Sequence, residues 1–292
     1  MLTTGLVGAG PWAEVFHAPM LAAGPDTSLA TVWARRHDAA SAIASAHGAS
    51  ASGSFEELLA TCDAVAFAVP PDVQAALAVK AAAAGKHLLL EKPLGFTLDE
   101  AERLADAAGE AGVRSVLMLR NRFSDEGRRF VAEATTHRAR GAQARFVSGG
   151  SVPGAFFATP WRVARGALLD LAPHALDLLD AAMGPIGSVT ATGDPTRWVA
   201  LTTEHEGGGI SQVALSITTP RARGLFRVEV TTDEGSIDFD GGAADADESV
   251  PGRIAAALAT AAATGEPHEI DIRRGLYLQR LIDQAERSLA ER

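Results

Sequence analysis

The 292-residue chain has one cysteine, Cys62, so an internal disulfide and a multi-cysteine zinc site are both excluded. It has one tyrosine, Tyr277, and the residue four further on is Leu281. The Tyr-x-x-x-Lys proton relay of short-chain dehydrogenases is therefore absent. Only three of its 26 basic residues are lysine: Lys80, Lys86 and Lys92. Basic charge as a whole is short, at 26 residues against 36 acidic ones, a net of −10. That argues against sequence-independent nucleic-acid binding. It leaves room for one basic pocket that takes a small anion. No apolar run reaches the ~18 residues of a membrane span. No basic segment followed by an apolar one opens the chain, so no secretory signal is expected, and the expected compartment is the cytoplasm. No metal site is expected, and no internal repeat is visible.

What is present is enough for two domains. Hydrophobic residues make up 47% and charged residues 21%, an ordinary balance for a folded chain. Over residues 1–119, short apolar runs alternate with helical ones. The runs Leu2 to Val7, Ser28 to Trp33, Asp63 to Val69, His87 to Leu90 and Val113 to Leu119 read as strands. Their continuous apolar character predicts a doubly wound parallel sheet covered on both faces. Residues 120–292 differ. A strong helix, Leu168 to Met183, is followed by Ser188 to Gly193, Trp198 to Glu204, Ile210 to Thr218, Leu225 to Thr231 and Ser236 to Asp240. No helices separate these strands, and Gly207-Gly208-Gly209 and Asp233-Glu234-Gly235 mark hairpins. The pattern predicts a large, mostly antiparallel sheet with helices on one side, and Gly241 to Asp247 as a polar loop.

Gly8-Ala9-Gly10-Pro11-Trp12-Ala13 fits G-x-G-x-x-G/A directly after the first strand. The first glycine permits the turn, the second admits a pyrophosphate, and the small third residue lets the helix approach the strand. A plain tight turn would need less context than the parallel half behind this one, so the loop is assigned to a dinucleotide. The second strand ends Trp33-Ala34-Arg35-Arg36. A carboxylate for the ribose hydroxyls is missing there, and two guanidiniums stand where a 2′-phosphate would lie. The expected preference is NADP over NAD; two ordinary surface arginines are the plain alternative.

Glu91-Lys92-Pro93 follows the strand His87 to Leu90, at the carboxyl end where open α/β sheets bind ligands. Asp170 and His174 lie four apart. They share a face if both are helical; if the helix begins near Pro173, Asp170 precedes it and His174 sits in its first turn. Histidine next to a carboxylate suits proton transfer near neutrality.

Taken together, these residues resemble the Gfo/Idh/MocA oxidoreductases, a family that includes glucose–fructose oxidoreductase and inositol dehydrogenase. The matching pieces are Gly5-Leu6-Val7-Gly8-Ala9-Gly10, Ala81-Ala82-Ala83-Ala84-Gly85-Lys86-His87, Glu91-Lys92-Pro93-Leu94-Gly95 and Asp170-Leu171-Ala172-Pro173-His174. The resemblance implies a Rossmann domain carrying NAD(P) over residues 1–119. It implies an α/β domain with an open-faced sheet, for substrate and oligomerisation, over residues 120–292. It further implies a dehydrogenase acting on a CH–OH group of a sugar-like or cyclitol-like molecule. By the same likeness, Lys92, Asp170 and His174 are the catalytic set. Gly8, Gly10, Pro11, Trp12, Ala13, Arg35, Arg36, Pro70, Glu91 and Lys92 are the cofactor set, and Glu91 lies near the nicotinamide ribose. Gln74 stands where the family often has histidine, the glycine run before Asp170 is thinned to Arg165-Gly166-Ala167, and Ala172 replaces a glycine. The rival readings are a catalytically silent cofactor sensor and a reductase of a non-sugar substrate.

The resemblance also implies a homodimer or a dimer of dimers paired through the outer face of the second sheet; a monomer with that sheet face solvated is the plain alternative. Strand alternation puts Val213, Leu215, Ile217, Phe226, Val228 and Val230 inward. Gln212, Ala214, Ser216, Thr218, Leu225, Arg227, Glu229 and Thr231 then face out, so the expected interface is polar, salt-sensitive and includes Arg227 and Glu229.

Overall fold

The computed structural model describes residues 1–220 and 224–291. The first sheet holds β1 (Leu2–Val7), β2 (Thr27–Trp33), β3 (Ser50–Ala51), β4 (Ala64–Phe67), β5 (His87–Leu90) and β6 (Ser115–Leu117). Its order is β3-β2-β1-β4-β5-β6 and every pair is parallel. The strands are apolar on both sides because helices cover both faces; Leu6, Val7, Val65, Phe67, Leu88, Leu89 and Leu90 are fully buried. The helices are α1 (Ala18–Ala22), α2 (His37–Ala46), α3 (Phe55–Ala60), α4 (Pro71–Ala83) and α5 (Leu98–Glu110). The helix expected from Trp12 begins as a π turn, Ala13–His17, before α1 continues it.

The second sheet holds β7 (Ala139–Val147), β8 (Ile186–Asp194), β9 (Trp198–His205), β10 (Ile210–Ser216), β11 (Leu225–Thr232) and β12 (Ser236–Asp240). Its order is β12-β11-β7-β10-β9-β8. Only β7 and β10 run parallel; the other pairs are antiparallel. Two helices of this region are α6 (Asp125–Ala134), which the sequence reading did not single out, and α7 (Pro160–Met183). The inward alternation holds: Val213, Leu215, Ile217, Phe226, Val228 and Val230 are all buried. Ser216 does not face outward. It is buried and donates to the carbonyl of Arg197 at 2.7 Å, because the strand ends there instead of running on to Thr218. Part of the expected polar loop, Gly241–Asp245, forms α8, with the Asp240 side chain accepting from the backbone of Gly242.

The chain divides into two compact units: Met1–Met118 with Ser249–Leu276, and Leu119–Glu248 with Tyr277–Arg292. The two-part reading at residue 119 therefore assigned one stretch differently. Helix α9 (Val250–Thr264) packs beside β5 and β6. The backbone N–H of Leu117 donates to Ile270 at 2.8 Å, and Ser115 Oγ accepts from Ile272, so this late segment completes the first unit. The last helix, α10 (Ile272–Ala290), passes from one unit to the other. Among the described residues, no helix is long and apolar enough to cross a membrane.

Candidate active site

In the first unit, the glycine loop turns between β1 and the π turn. Gly8 has φ 120°, and a Cβ there would lie 2.3 Å from the carbonyl oxygen of Ala68. Only glycine fits. A Cβ at Gly10 would meet nothing within 4 Å, so the backbone there is open to a ligand. Ala13 is fully buried. This cradle fits a dinucleotide pyrophosphate. The Gly8 N–H donates to Trp33 at 2.9 Å, which holds the end of β2 beside the loop. Arg35 and Arg36 follow, both exposed, with no ion pair on either among the described residues. Pro70 caps α4 and its carbonyl accepts from the Gln74 N–H.

Gln74 is fully buried and clamps the turn after β5. Its Oε1 accepts from the Glu91 N–H at 2.8 Å. Its Nε2 reaches the carbonyls of Glu91, Pro93 and Leu94 at 2.8, 3.2 and 3.3 Å. The departure from histidine is thus an amide that satisfies both kinds of backbone group in a segment outside any ladder. Lys92 lies within that clamped turn, half-buried, and its bond to Pro93 is cis. Glu91 receives Trp12 Nε1–H at 2.7 Å and lies 2.8 Å from His17 Nε2. Burial pushes its carboxyl up. The hydrogen bond and charge of His17, the Lys92 ammonium and the Trp12 bond outweigh that and hold it below the ordinary carboxylate value.

His17 and the role of Gln74 were not legible beforehand. Trp12 and His17 are five apart, and they converge on one oxygen through a π turn that no 3.6-residue pattern announces.

In the second unit, α7 is interrupted at Gly166, with φ 67°. A Cβ there would sit 2.1 Å from the Pro195 carbonyl oxygen, at the tip of the β8–β9 hairpin, and that carbonyl accepts the Ala167 N–H at 2.8 Å. The one glycine left of the thinned run is therefore the one the turn requires. Asp170 and His174 both lie beyond it in continuous helix, so they share a face, and Pro173 is internal to the helix. Asp170 is 6% exposed and paired with Arg162 Nε at 3.2 Å across the break. The Arg162 guanidinium lies 4.4 Å from the Trp161 ring centroid. The His174 ring is 6.2 Å from Phe146 of β7. One turn on, Asp177 is buried against Arg122 at 3.3 Å. Arg162 escaped the sequence reading because the break hides its relation to Asp170. Tyr277 has a structural place: its hydroxyl binds Asp180 and accepts the Ile186 N–H.

The structure thus brings Gly8, Gly10, Trp12, Glu91 and Lys92 into the first unit and Asp170 with His174 onto one helix of the second. Residues 2–119 match the oxidoreductase family, NAD-binding Rossmann fold, and residues 126–238 match the GFO/IDH/MocA C-terminal domain. The chain belongs to the Gfo/Idh/MocA oxidoreductase family. It is similar to D-xylose 1-dehydrogenase (NADP(+)) 2 of Haloferax volcanii, 28% identical over 288 residues and 87% of each chain. An uncharacterized oxidoreductase of Rhizobium meliloti, ORF334, is 31% identical over 121 residues, 40% of this chain. The chain spans only 36% of that relative's length. In fold it is similar to GenD2 from gentamicin A biosynthesis, solved in complex with NAD, with a TM-score of 0.86 at 24% identity over 99% of this chain and 94% of that one.

Proposed function

We propose that the chain is a dehydrogenase that prefers NADP(H) and interconverts a secondary alcohol and a ketone on a sugar-like or cyclitol-like molecule. The observation that carries this reading is the match of both halves of the chain to one oxidoreductase family, in a sequence that also contains Lys92, Asp170 and His174. The similarity to a xylose dehydrogenase along most of both chains supports a sugar-like substrate. The bound nicotinamide supplies the hydride chemistry. The family resemblance assigns His174 the proton of the reacting oxygen and assigns the Lys92 ammonium the stabilisation of developing negative charge. Asp170, paired with Arg162 at 3.2 Å and one helical turn before His174, is assigned as the partner of that histidine. Gly8, Gly10, Pro11, Trp12, Ala13 and Pro70 form the cofactor cradle, and Arg35 and Arg36 take the 2′-phosphate. Glu91 accepts from the nicotinamide ribose. The low cysteine content supports a cytoplasmic setting.

The test is NAD(P)+ reduction and NAD(P)H oxidation across a panel of sugars, cyclitols and keto-sugars. Turnover of at least one class is expected. Tight cofactor binding with no turnover on any member would favour a silent sensor.

We also propose a homodimer through the outer face of the second sheet. That face carries exposed Trp198 and Ile210 among polar residues. Arg227 is paired with Asp240 at 3.0 Å, and Glu229 accepts from Ser236, exposed contacts that exchange readily for partners on a second copy. Light scattering at low salt should give twice the monomer mass; a monomer at high protein concentration overturns the assembly.

A further inference from the structure

The imidazole of His17 is fully buried, yet its polar engagement is with a single oxygen. Nε2 lies 2.8 Å from Glu91 Oε1, and Nδ1 is buried without a hydrogen-bond partner. A leucine or phenylalanine would fill that space with no polar atoms to desolvate, and a buried ring nitrogen left unsatisfied costs stability. The ring is also held in place. Trp12 stacks on Phe16 at 4.7 Å, and Phe16 stands edge-on to His17 at 5.9 Å. The π turn sets Trp12 and His17 so that both N–H groups meet the same oxygen. The other oxygen, Oε2, takes no protein hydrogen bond among the described residues. The carboxylate is therefore gripped by one oxygen and offered by the other, from a side chain that is 16% exposed.

We propose that His17 is a positioning residue for cofactor binding: donating Nε2–H to Oε1, it fixes the Glu91 carboxylate so that Oε2 accepts a ribose hydroxyl of the nicotinamide cofactor. This rests on the reading that Glu91 meets the cofactor. It goes further in assigning a buried helix residue, remote from the glycine fingerprint, to the affinity and its pH dependence. The titratable groups that face Glu91 are His17 and Lys92, and Gln74 holds its backbone without charge. With His17 present, the carboxyl stays below its ordinary value despite burial. Without it, burial is opposed only by Lys92 and Trp12, so the carboxyl rises. As pH falls it then protonates earlier, and a neutral acid is the weaker acceptor.

The experiment is calorimetric titration of the full chain with NADH, whose lack of a 2′-phosphate keeps that group's titration out of the result. Affinity is read from about pH 8 down to about pH 5. His17→Ala should weaken NADH about tenfold at neutral pH, with the loss growing as pH falls. His17→Gln, whose amide N–H can reach the same oxygen, should recover most of the affinity. The double variant His17→Ala/Glu91→Gln should bind no more weakly than Glu91→Gln alone. If Glu91→Gln weakens NADH while His17→Ala matches wild type at every pH, the positioning role is overturned. Additive losses in the double variant overturn it as well. If Glu91→Gln itself binds normally, the cofactor role of Glu91 falls and the proposal falls with it. Should His17→Ala not fold, Trp12→Phe removes the second donor to the same oxygen. It must then weaken NADH, and that loss must vanish in the Glu91→Gln background.

Discussion

The two units assemble their functional groups in opposite ways. In the first, the groups come from the ends of β1, β4 and β5. Trp12 and His17 meet a carboxylate 79 and 74 residues away, and Gln74 clamps a turn 17 residues further along the chain. In the second, Asp170 and His174 sit four apart on one helix, and their relation is secured by helical geometry alone. The first arrangement needs a network of long-range hydrogen bonds to hold a turn that no ladder supports. The second needs only that the helix start in the right place, which Gly166 and the β8–β9 hairpin decide. The difference predicts where each unit is vulnerable.

The largest expected effect is on turnover. Lys92→Ala and His174→Ala should each lose about 10²–10⁴-fold in kcat, the usual loss when a positioned proton donor or charge-stabilising group is removed, and His174→Ala should keep its cofactor affinity near wild type. Steady-state kinetics and calorimetry on the same preparations check both halves. A His174 variant that loses cofactor affinity would break the division of labour between the units. Near-normal turnover in both variants would remove the catalytic assignment.

Next comes Gly166→Ala, which sharpens the contrast. The left-handed backbone and the Pro195 carbonyl at 2.1 Å from a Cβ leave no room for a methyl group without moving the hairpin or the helix start. The expected cost is about 2–4 kcal/mol of stability. Thermal unfolding should shift down accordingly, with turnover reduced as Asp170 and Arg162 separate. NADPH affinity of the remaining folded protein should hold. An unchanged melting temperature would mean that the break at Gly166 is not imposed by the hairpin.

The same contrast explains what could be read from the sequence. Strands buried on both faces announce themselves as unbroken apolar runs, so the parallel sheet was legible from Leu2–Val7, Ala64–Phe67 and His87–Leu90. Alternation exposed the second sheet, and the i,i+4 rule gave Asp170 and His174 a common face. Interactions without a period left no such trace. His17 looks like any helical histidine until a π turn carries it to Glu91, and Gln74 looks like a helix-surface amide until it is found fully buried. Arg162 stands eight residues before Asp170, a spacing meaningless in a straight helix and decisive in a broken one. The return of residues 249–276 to the first unit was hidden for a related reason. Helix α9 has the alanine-rich, apolar character of a helix that covers a sheet, and composition does not say which sheet.

The smallest effect separates affinity from architecture within the first unit. Trp12, His17, Gln74 and Glu91 are tied into the fold, so replacing them disturbs structure and binding together. Arg35 and Arg36 are exposed on the turn after β2, bear no ion pair among the described residues, and stand beyond the strand end that Gly8 fastens at 2.9 Å. Removing one guanidinium should therefore leave the melting temperature unchanged. A charge-assisted hydrogen bond is worth roughly 1.5–3 kcal/mol, so Arg35→Ala should weaken NADPH by about tenfold or more. NADH, which offers that side chain no phosphate, should bind almost as before. Because the contact is exposed and ionic, the NADPH advantage should also shrink as salt rises, and the variant should shrink it no further. Calorimetric titration of both cofactors at two salt concentrations decides the matter. Tighter NADH than NADPH binding by the unmodified chain would mean that the missing carboxylate at Ala34 is not an adaptation to a 2′-phosphate, and the two arginines would then be ordinary surface residues.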